Sequence, residues 1–185
     1  KLGFPCFVKP ANCGSSVGVH KVKTSEALAD ALADAQKYDR KIIIEEFVDG
    51  REIECAVLGN IDAMAAAPGE IKPSKEFYDY EDKYIKGSSV TCIPADLPEE
   101  AAERIRSLAR KAFAAMDCSG LARIDFFYKE DGTVILNELN TLPGFTDISM
   151  YSKLWIAEGM TYTALLTKLI LLAFERKIEN ERCTE

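Results

Sequence analysis

A chain of 185 residues with 48% hydrophobic and 29% charged side chains has the composition of a folded protein and excludes a disordered one. Its net charge of −7 excludes a broad nucleic-acid surface, which needs a basic face, but leaves room for a local Lys/Arg cluster around a nucleotide. That length supports one good core, or two lobes sharing a cleft.

Six cysteines, at 6, 13, 55, 92, 118 and 183, form no CxxC pair, and His20 is the sole histidine. A Cys/His zinc site is disfavoured by that scarcity. Isolated, mostly apolar-flanked thiols fit packing roles in a reducing compartment. No signal peptide is visible, and the apolar run Leu169–Phe174 falls far short of a membrane span. Lys1 opens in mid-pattern, which leaves room for a targeting segment upstream.

Residues 3–9 read as a short buried strand ending at Lys9-Pro10. The loop Ala11–Gly18 carries Gly14, Ser15, Ser16 and Gly18, a set rich in exposed N–H and hydroxyl donors that suits phosphate. It lacks the GxxxxGKS/T pattern, and a plain hairpin turn is the competing reading. A strand is expected over Val17–Val22. Thr24-Ser25-Glu26 caps a helix over 27–39, with Leu28 and Leu32 at helical spacing.

Lys41–Val48 reads as a buried strand running into Asp49-Gly50. Glu52–Leu58, Gly59-Asn60 and Ile61–Ala67 then read as a hairpin. Glu45, Glu46 and Glu52 bracket the first turn, placed either in solvent or to receive ribose hydroxyls or an adenine amino group. Residues 68–90 carry no period and read as a long loop; their aromatic content (Phe77, Tyr78, Tyr80, Tyr84) suits a lid, with Lys83 and Tyr84 in the part able to fold over a site. Asp96 to Met116 reads as an amphipathic helix whose buried stripe is Ile105, Leu108, Ala109, Ala112 and Phe113.

The stretch LARIDFFYKEDGTVILNELN, 121–140, organises the rest. Two β-prone runs flank Asp131-Gly132, a dipeptide suited to a tight hairpin turn. A two-residue loop pairs Glu130 with Thr133, Asp125 with Glu138, and Arg123 with Asn140. A four-residue loop shifts the pairs but keeps the faces, so all four side chains share one face either way. Two carboxylates across a ladder repel, which calls for a positive group between them. Hard oxygen donors suit Mg²⁺ or Mn²⁺ rather than zinc. After the loop 140–145, helices are expected over 149–157 and 161–177, the latter capped at Thr161. Mixed in this order, the elements give an α+β fold.

Taken together, Lys9-Pro10, GSSVGV (14–19), IIEEF (43–47), Glu52, FYDYEDKY (77–84), LARID (121–125) and NELNTLPGFT (137–146) resemble an ATP-grasp ligase, and in order and spacing the D-alanine–D-alanine ligase family specifically. The resemblance implies an ATP-grasp fold of mixed and antiparallel sheets with helices, with ATP in the cleft between two lobes. It divides the chain into 1–52, the back of a central domain, and 53–185, the C-terminal domain. It implies ligation of two D-alanines through an acyl phosphate, for peptidoglycan precursor synthesis in the cytoplasm by a homodimer, with no nucleic-acid or membrane partner.

Site roles follow from the same resemblance. Lys9 resembles the lysine that contacts ATP phosphate, and Ser15 and Ser16 the phosphate-covering loop. Glu45 resembles the acid at the adenine edge, Phe47 and Val48 the hinge of the adenine pocket, and Glu52 the acid on the ribose. Phe77 would close the pocket and Lys83 would reach the phosphates from the lid. Asp125, Glu138 and Asn140 resemble the ligands of two Mg²⁺ (or Mn²⁺) ions, and Arg123 the cation that stabilises the transferred phosphate. Gly144 would give a backbone N–H to the oxyanion, while Ser149 and the Met150 amide would hold the second amino acid's carboxylate.

Tyr84 stands where ester-forming relatives carry histidine, which favours peptide formation and leaves D-serine open as second substrate. The family's N-terminal domain has no counterpart in the chain, including the acid that joins Ser15 and Tyr84 at the first amino-acid site. The chain by itself is therefore expected to bind Mg-ATP weakly and to ligate poorly. The rival readings are another ATP-grasp carboxylate–amine ligase and a catalytically inactive nucleotide-binding module.

Overall fold

Cys6 and Val8 alternate with Phe7 and Lys9 along β1 (Cys6–Pro10), so the strand has one buried and one half-buried face. It is the centre of a three-stranded antiparallel sheet, between β2 (His20–Val22) and β3 (Ile42–Glu46). Helix α1 (Ser25–Ala35) packs Ala31 and Ala35 against Cys6, Val8 and Val22. Phe7 pairs with Lys21 and Glu45, and Lys9 with Ile43, so these five side chains share the other face.

The computed structural model describes residues 2–72, 90–146 and 148–182. Two units result: one runs from the N-terminus to Asp49, and the other takes Gly50–Lys72 and resumes at Thr91. In the first, the strand expected from Val17 begins only at His20. Ser15, Ser16 and Gly18 take positive φ angles (56°, 59° and 69°), which turn the backbone out of the extended region. Helix α1 is shorter than expected, ending at Ala35, and Thr24 fills its N-cap position without a side-chain cap bond.

In the second unit, β4 (Arg51–Gly59) lies between β6 (Gly69–Lys72) and β8 (Gly120–Tyr128). β9 (Val134–Asn140) extends the sheet beyond β8, β7 (Val90–Cys92) lies beyond β6, and β5 (Met64–Ala65) pairs with the end of β4. Two expectations are corrected here. The strand expected over Ile61–Ala67 is only two residues long, and Gly69–Lys72, inside the stretch 68–90 read as loop, is a strand, as is Val90–Cys92 at its end. The local pattern of Pro68, Gly69 and mixed charge hid β6, whose place is fixed by pairing of Glu52, Ile53 and Glu54 with Ile71, Glu70 and Gly69.

Helix α2 (Glu99–Ala115) lays Ile105, Ala109 and Phe113 on Ile53, Cys55, Val57, Ile124 and Phe126, with Leu108 and Ala112 at the margin. Each such large side chain contributes about 1.5–3 kcal/mol by leaving water. Helices α3 (Met150–Ala157) and α4 (Tyr162–Arg182) pack on β4, where the Tyr151 hydroxyl donates to the Val57 carbonyl at 3.1 Å. Thr161 caps α4 as expected, accepting from the Ala164 N–H at 3.1 Å. Among the described residues no single helix is long and apolar enough to cross a membrane, and the five described cysteines are free thiols. Burial pushes the Cys55 thiol up to about 12, which fits packing rather than reactivity.

The β8–β9 hairpin departs from the expected two-residue turn. Lys129 N–H donates to the Thr133 carbonyl at 2.9 Å, so the turn holds Glu130, Asp131 and Gly132, with Gly132 at φ 80°. The Asp131 carboxylate also accepts from the Thr133 N–H at 2.9 Å. Near the turn the pairs are therefore Tyr128 with Val134 and Phe126 with Leu136, one step out of the expected register. A bulge then places Asn137 as an extra residue, after which Asp125 pairs with Glu138 and Arg123 with Asn140. The odd turn and the extra residue cancel, and the expected grouping stands.

Candidate active site

β4 presents Glu52 and Glu54 on the face opposite the α2 core, because Ile53 and Cys55 turn toward it. Across β4 and β8 Glu54 pairs with Asp125, and across β8 and β9 Asp125 pairs with Glu138. Three carboxylates thus stand in one row over three strands. Glu54 and Asp125 are only 8% and 9% exposed, a burial that charged groups tolerate only when paired.

Arg123 supplies the compensation. Its Nε donates to Asp125 Oδ1 at 2.8 Å and its Nη2 to Asp125 Oδ2 at 2.7 Å. Glu54 Oε2 lies 3.1 Å from the same Nε. Burial opposes the guanidinium charge, yet the Asp125 hydrogen bonds and the charges of Asp125, Glu54 and Glu138 win and hold it protonated above its usual range. The positive group touching Asp125 is thus first of all an arginine. Asn140 Nδ2 donates to Asp125 Oδ2 and to Glu138 Oε1, at 3.2 Å each.

The same residues fit a divalent cation by donor type. Among the described residues no group of three or more His, Cys, Asp or Glu side chains is arranged to hold a metal ion, so Asn140 is needed as the third donor beside Asp125 and Glu138. Rotating the amide by half a turn would exchange its Nδ2 for Oδ1 at the same point between the carboxylates. Glu54 is the residue of this cluster missed in the sequence. Its signal was present, since it follows Glu52 by two positions in a strand with apolar residues on the other face.

The loop after β9 carries the remaining C-terminal candidates. An ideal Cβ at Gly144 would lie 2.9 Å from Ser149 Oγ, so any larger residue displaces that hydroxyl. Ser149 Oγ accepts from the Thr146 N–H at 2.9 Å and lies 3.0 Å from Thr146 Oγ1, while Met150 starts α3 and is buried. Phe145 anchors the loop between Tyr151 and Tyr162, each ring centroid 5.6 Å away, and Tyr162 donates to the Phe145 carbonyl at 3.2 Å.

In the first unit Lys9 Nζ lies 2.6 Å from Glu45 Oε2, a diagonal pair on the open face of the sheet. Phe47 packs 6.2 Å from Phe7, and Lys21 Nζ sits 3.8 Å over the Phe47 ring. Lys21 was not singled out in the sequence; its strand position opposite Phe7 brings it here. Ser15 and Ser16 occupy the tight turn before β2, and the loop is tied back by Asn12, whose N–H and amide donate to Asp39 at 2.7 and 2.8 Å. Val48 follows Phe47 directly. Phe77, Lys83 and Tyr84 lie outside the described residues.

The chain is similar to known proteins in both sequence and fold. The family model described as "D-ala D-ala ligase C-terminus" matches residues 1–171. A D-alanine--D-alanine ligase of Acetivibrio thermocellus is 58% identical over 181 residues, 97% of this chain and 48% of that protein. One of Geobacillus thermodenitrificans is 55% identical over 184 residues, 100% of this chain and 50% of that protein. Among solved structures, the D-alanine-D-alanine ligase of Coxiella burnetii has a TM-score of 0.85 at 39% identity, covering 98% of this chain and 48% of its own. The VanG D-Ala:D-Ser ligase of Enterococcus faecalis has a TM-score of 0.84 at 39% identity, covering 93% and 50%. The chain spans about half the length of the curated relatives it matches. With a family model matched across residues 1–171 and the fold of its solved neighbours, the chain belongs to the C-terminal family of D-alanine–D-alanine ligases, which are ATP-grasp enzymes.

Proposed function

We propose that the natural full-length protein is an ATP-dependent D-alanine–D-alanine ligase, making D-alanyl-D-alanine for peptidoglycan precursors as a cytoplasmic homodimer. The match over residues 1–171 is the observation that carries this reading. In it, residues 1–52 are the back of the central domain and 53–185 the C-terminal domain. The γ-phosphoryl group of ATP passes to the carboxylate of one D-alanine, giving an acyl phosphate and ADP. The amine of the second D-alanine attacks the acyl carbon, phosphate leaves with the bonding pair, and the amine loses a proton.

Phosphoryl transfer needs placement and charge neutralisation more than covalent help. Lys9, Ser15, Ser16 and Lys83 would grip the phosphates. Glu45, Phe47, Val48 and Phe77 would enclose the adenine, and Glu52 would take the ribose hydroxyls. Asp125, Glu138 and Asn140 would hold two Mg²⁺ or Mn²⁺ ions, which neutralise phosphate charge when bound. Arg123 would stabilise the transferred phosphoryl group, for which its fork geometry is suited. Ser15 and Tyr84 would orient the first amino acid, Gly144 N–H would meet the oxyanion, and Ser149 with the Met150 amide would hold the second carboxylate. A lid over 74–89 would exclude water from the acyl phosphate.

Phosphate release by the full-length protein with ATP, Mg²⁺ and D-alanine tests the reading, with the dipeptide identified by chromatography. The expected result is release that requires D-alanine; release indifferent to D-alanine, or absent, overturns it. The likeness to a D-Ala:D-Ser ligase supports a second reading, D-alanyl-D-serine. Competition between D-alanine and D-serine for the second position separates the two.

A further inference from the structure

We propose that Glu54 is a positioning residue that holds Arg123 in place when Asp125 is engaged by a divalent cation. The inference rests on the ligase reading above and adds a residue that reading does not use. Asp125 has two tasks in this site: it takes both the Nε and Nη2 bonds of Arg123, at 2.8 and 2.7 Å, and it is a prospective metal ligand. An oxygen that shares its electron pair with a cation is a poorer hydrogen-bond acceptor. Metal binding therefore loosens the bonds that orient the arginine at the step where its orientation matters.

Glu54 stands on the other side of that conflict. It lies opposite Asp125 on β4, the strand away from Glu138 and Asn140, and its Oε2 is 3.1 Å from Arg123 Nε. At 8% exposure it is too buried to be an incidental surface charge. Its carboxylate keeps its ion pair with the guanidinium, at 3.1 Å, while Asp125 shares itself with the cation. Without it, the carboxylates left to Arg123 are Asp125 and Glu138, both prospective metal ligands, and it competes with the cation for them.

The test uses full-length protein with a non-hydrolysable ATP analogue and Mn²⁺, whose binding is followed by electron paramagnetic resonance, together with steady-state rates. Partners one layer behind a metal ligand typically change affinity or activity by about 10–100-fold. Glu54→Gln, which keeps the shape and removes the charge, is expected to weaken Mn²⁺ binding about tenfold and to lower kcat by a similar factor. The KM for ATP should change little. Glu54→Asp, with its charge withdrawn by one methylene, should fall between glutamine and wild type.

Wild-type Mn²⁺ affinity in Glu54→Gln overturns the proposal, whether or not the rate falls, because a purely structural glutamate would lower activity without touching the cation. Should Glu54→Gln give no cooperative melt, Glu54→Asp decides, and wild-type Mn²⁺ affinity there overturns it equally. If Asp125→Asn binds Mn²⁺ as tightly as wild type, the metal assignment fails and takes this inference with it. That outcome is distinct from a change confined to Glu54.

Discussion

Asp125 and Glu138 stand directly opposite each other across the β8–β9 ladder, with the Asn140 amide 3.2 Å from an oxygen of each. Like charges so placed cost stability, by about 0.2–1 kcal/mol for an ordinary cross-strand pair. The pair is thus a poor arrangement for folding and a good one for holding a cation. Glu138→Gln should leave the unfolding midpoint in urea equal to wild type or higher, while ligation in the full-length protein falls by about 100-fold or more, since loss of a partner behind a ligand alone costs up to that much. A variant as active as wild type would remove Glu138 from the metal site.

Arg123 forms ion pairs with both Glu54 and Asp125, and both carboxylates are buried. Arg123→Ala takes this cation away from both buried carboxylates, and removing one partner of a buried pair costs about 3–5 kcal/mol. Arg123→Lys retains a charge but not the two-pronged contact to Asp125. It should keep most of the stability and lose most of kcat. Urea unfolding and initial rates on both variants measure the split; equal losses of stability would contradict it.

How far the site could be read in advance depended on the range of each signal. Alternation and the Asp131-Gly132 turn placed Arg123, Asp125, Glu138 and Asn140 on one face, yet for a partly wrong reason. The turn is one residue longer, and the bulge at Asn137, which no short pattern marks, restores the register. β6 was invisible because pairing with β4, rather than local propensity, makes Gly69–Lys72 a strand. Glu54 had a visible period but no visible partner, since the contact that gives it meaning comes from β8, far away in sequence.

Lys9 and Glu45 make a prediction of the opposite kind. Their 2.6 Å ion pair is half-exposed, with side-chain exposures of 21% and 39%, so its contribution to stability is at most about 1 kcal/mol. If Glu45 receives the adenine amino group and Lys9 a phosphate, the pair is a resting arrangement that nucleotide binding breaks. Glu45→Gln should therefore leave the melting temperature nearly unchanged and weaken binding of a fluorescent ATP analogue about tenfold, the value of one charge-assisted hydrogen bond. Unchanged affinity would place the adenine elsewhere.

The Arg51–Glu70 pair sets a pH dependence. Arg51 donates to the two Glu70 oxygens at 2.9 and 2.8 Å and to the Asp96 carbonyl at 2.8 Å, joining β4, β6 and the approach to α2. Those bonds hold the Glu70 carboxyl below its ordinary 4.5, against burial, which acts the other way. The unfolded chain then binds the proton more readily, so stability rises with pH in this range. The contribution is complete above 4.5 and is lost as pH falls through the lowered folded value. With a side chain only 5% exposed, Glu70 is poorly screened, so the effect should survive added salt. Unfolding free energies of wild type and Glu70→Gln, measured in urea from pH 7 down to pH 3, should converge as the pH falls. A constant difference across that range would show that Glu70 titrates alike in the folded and unfolded chain.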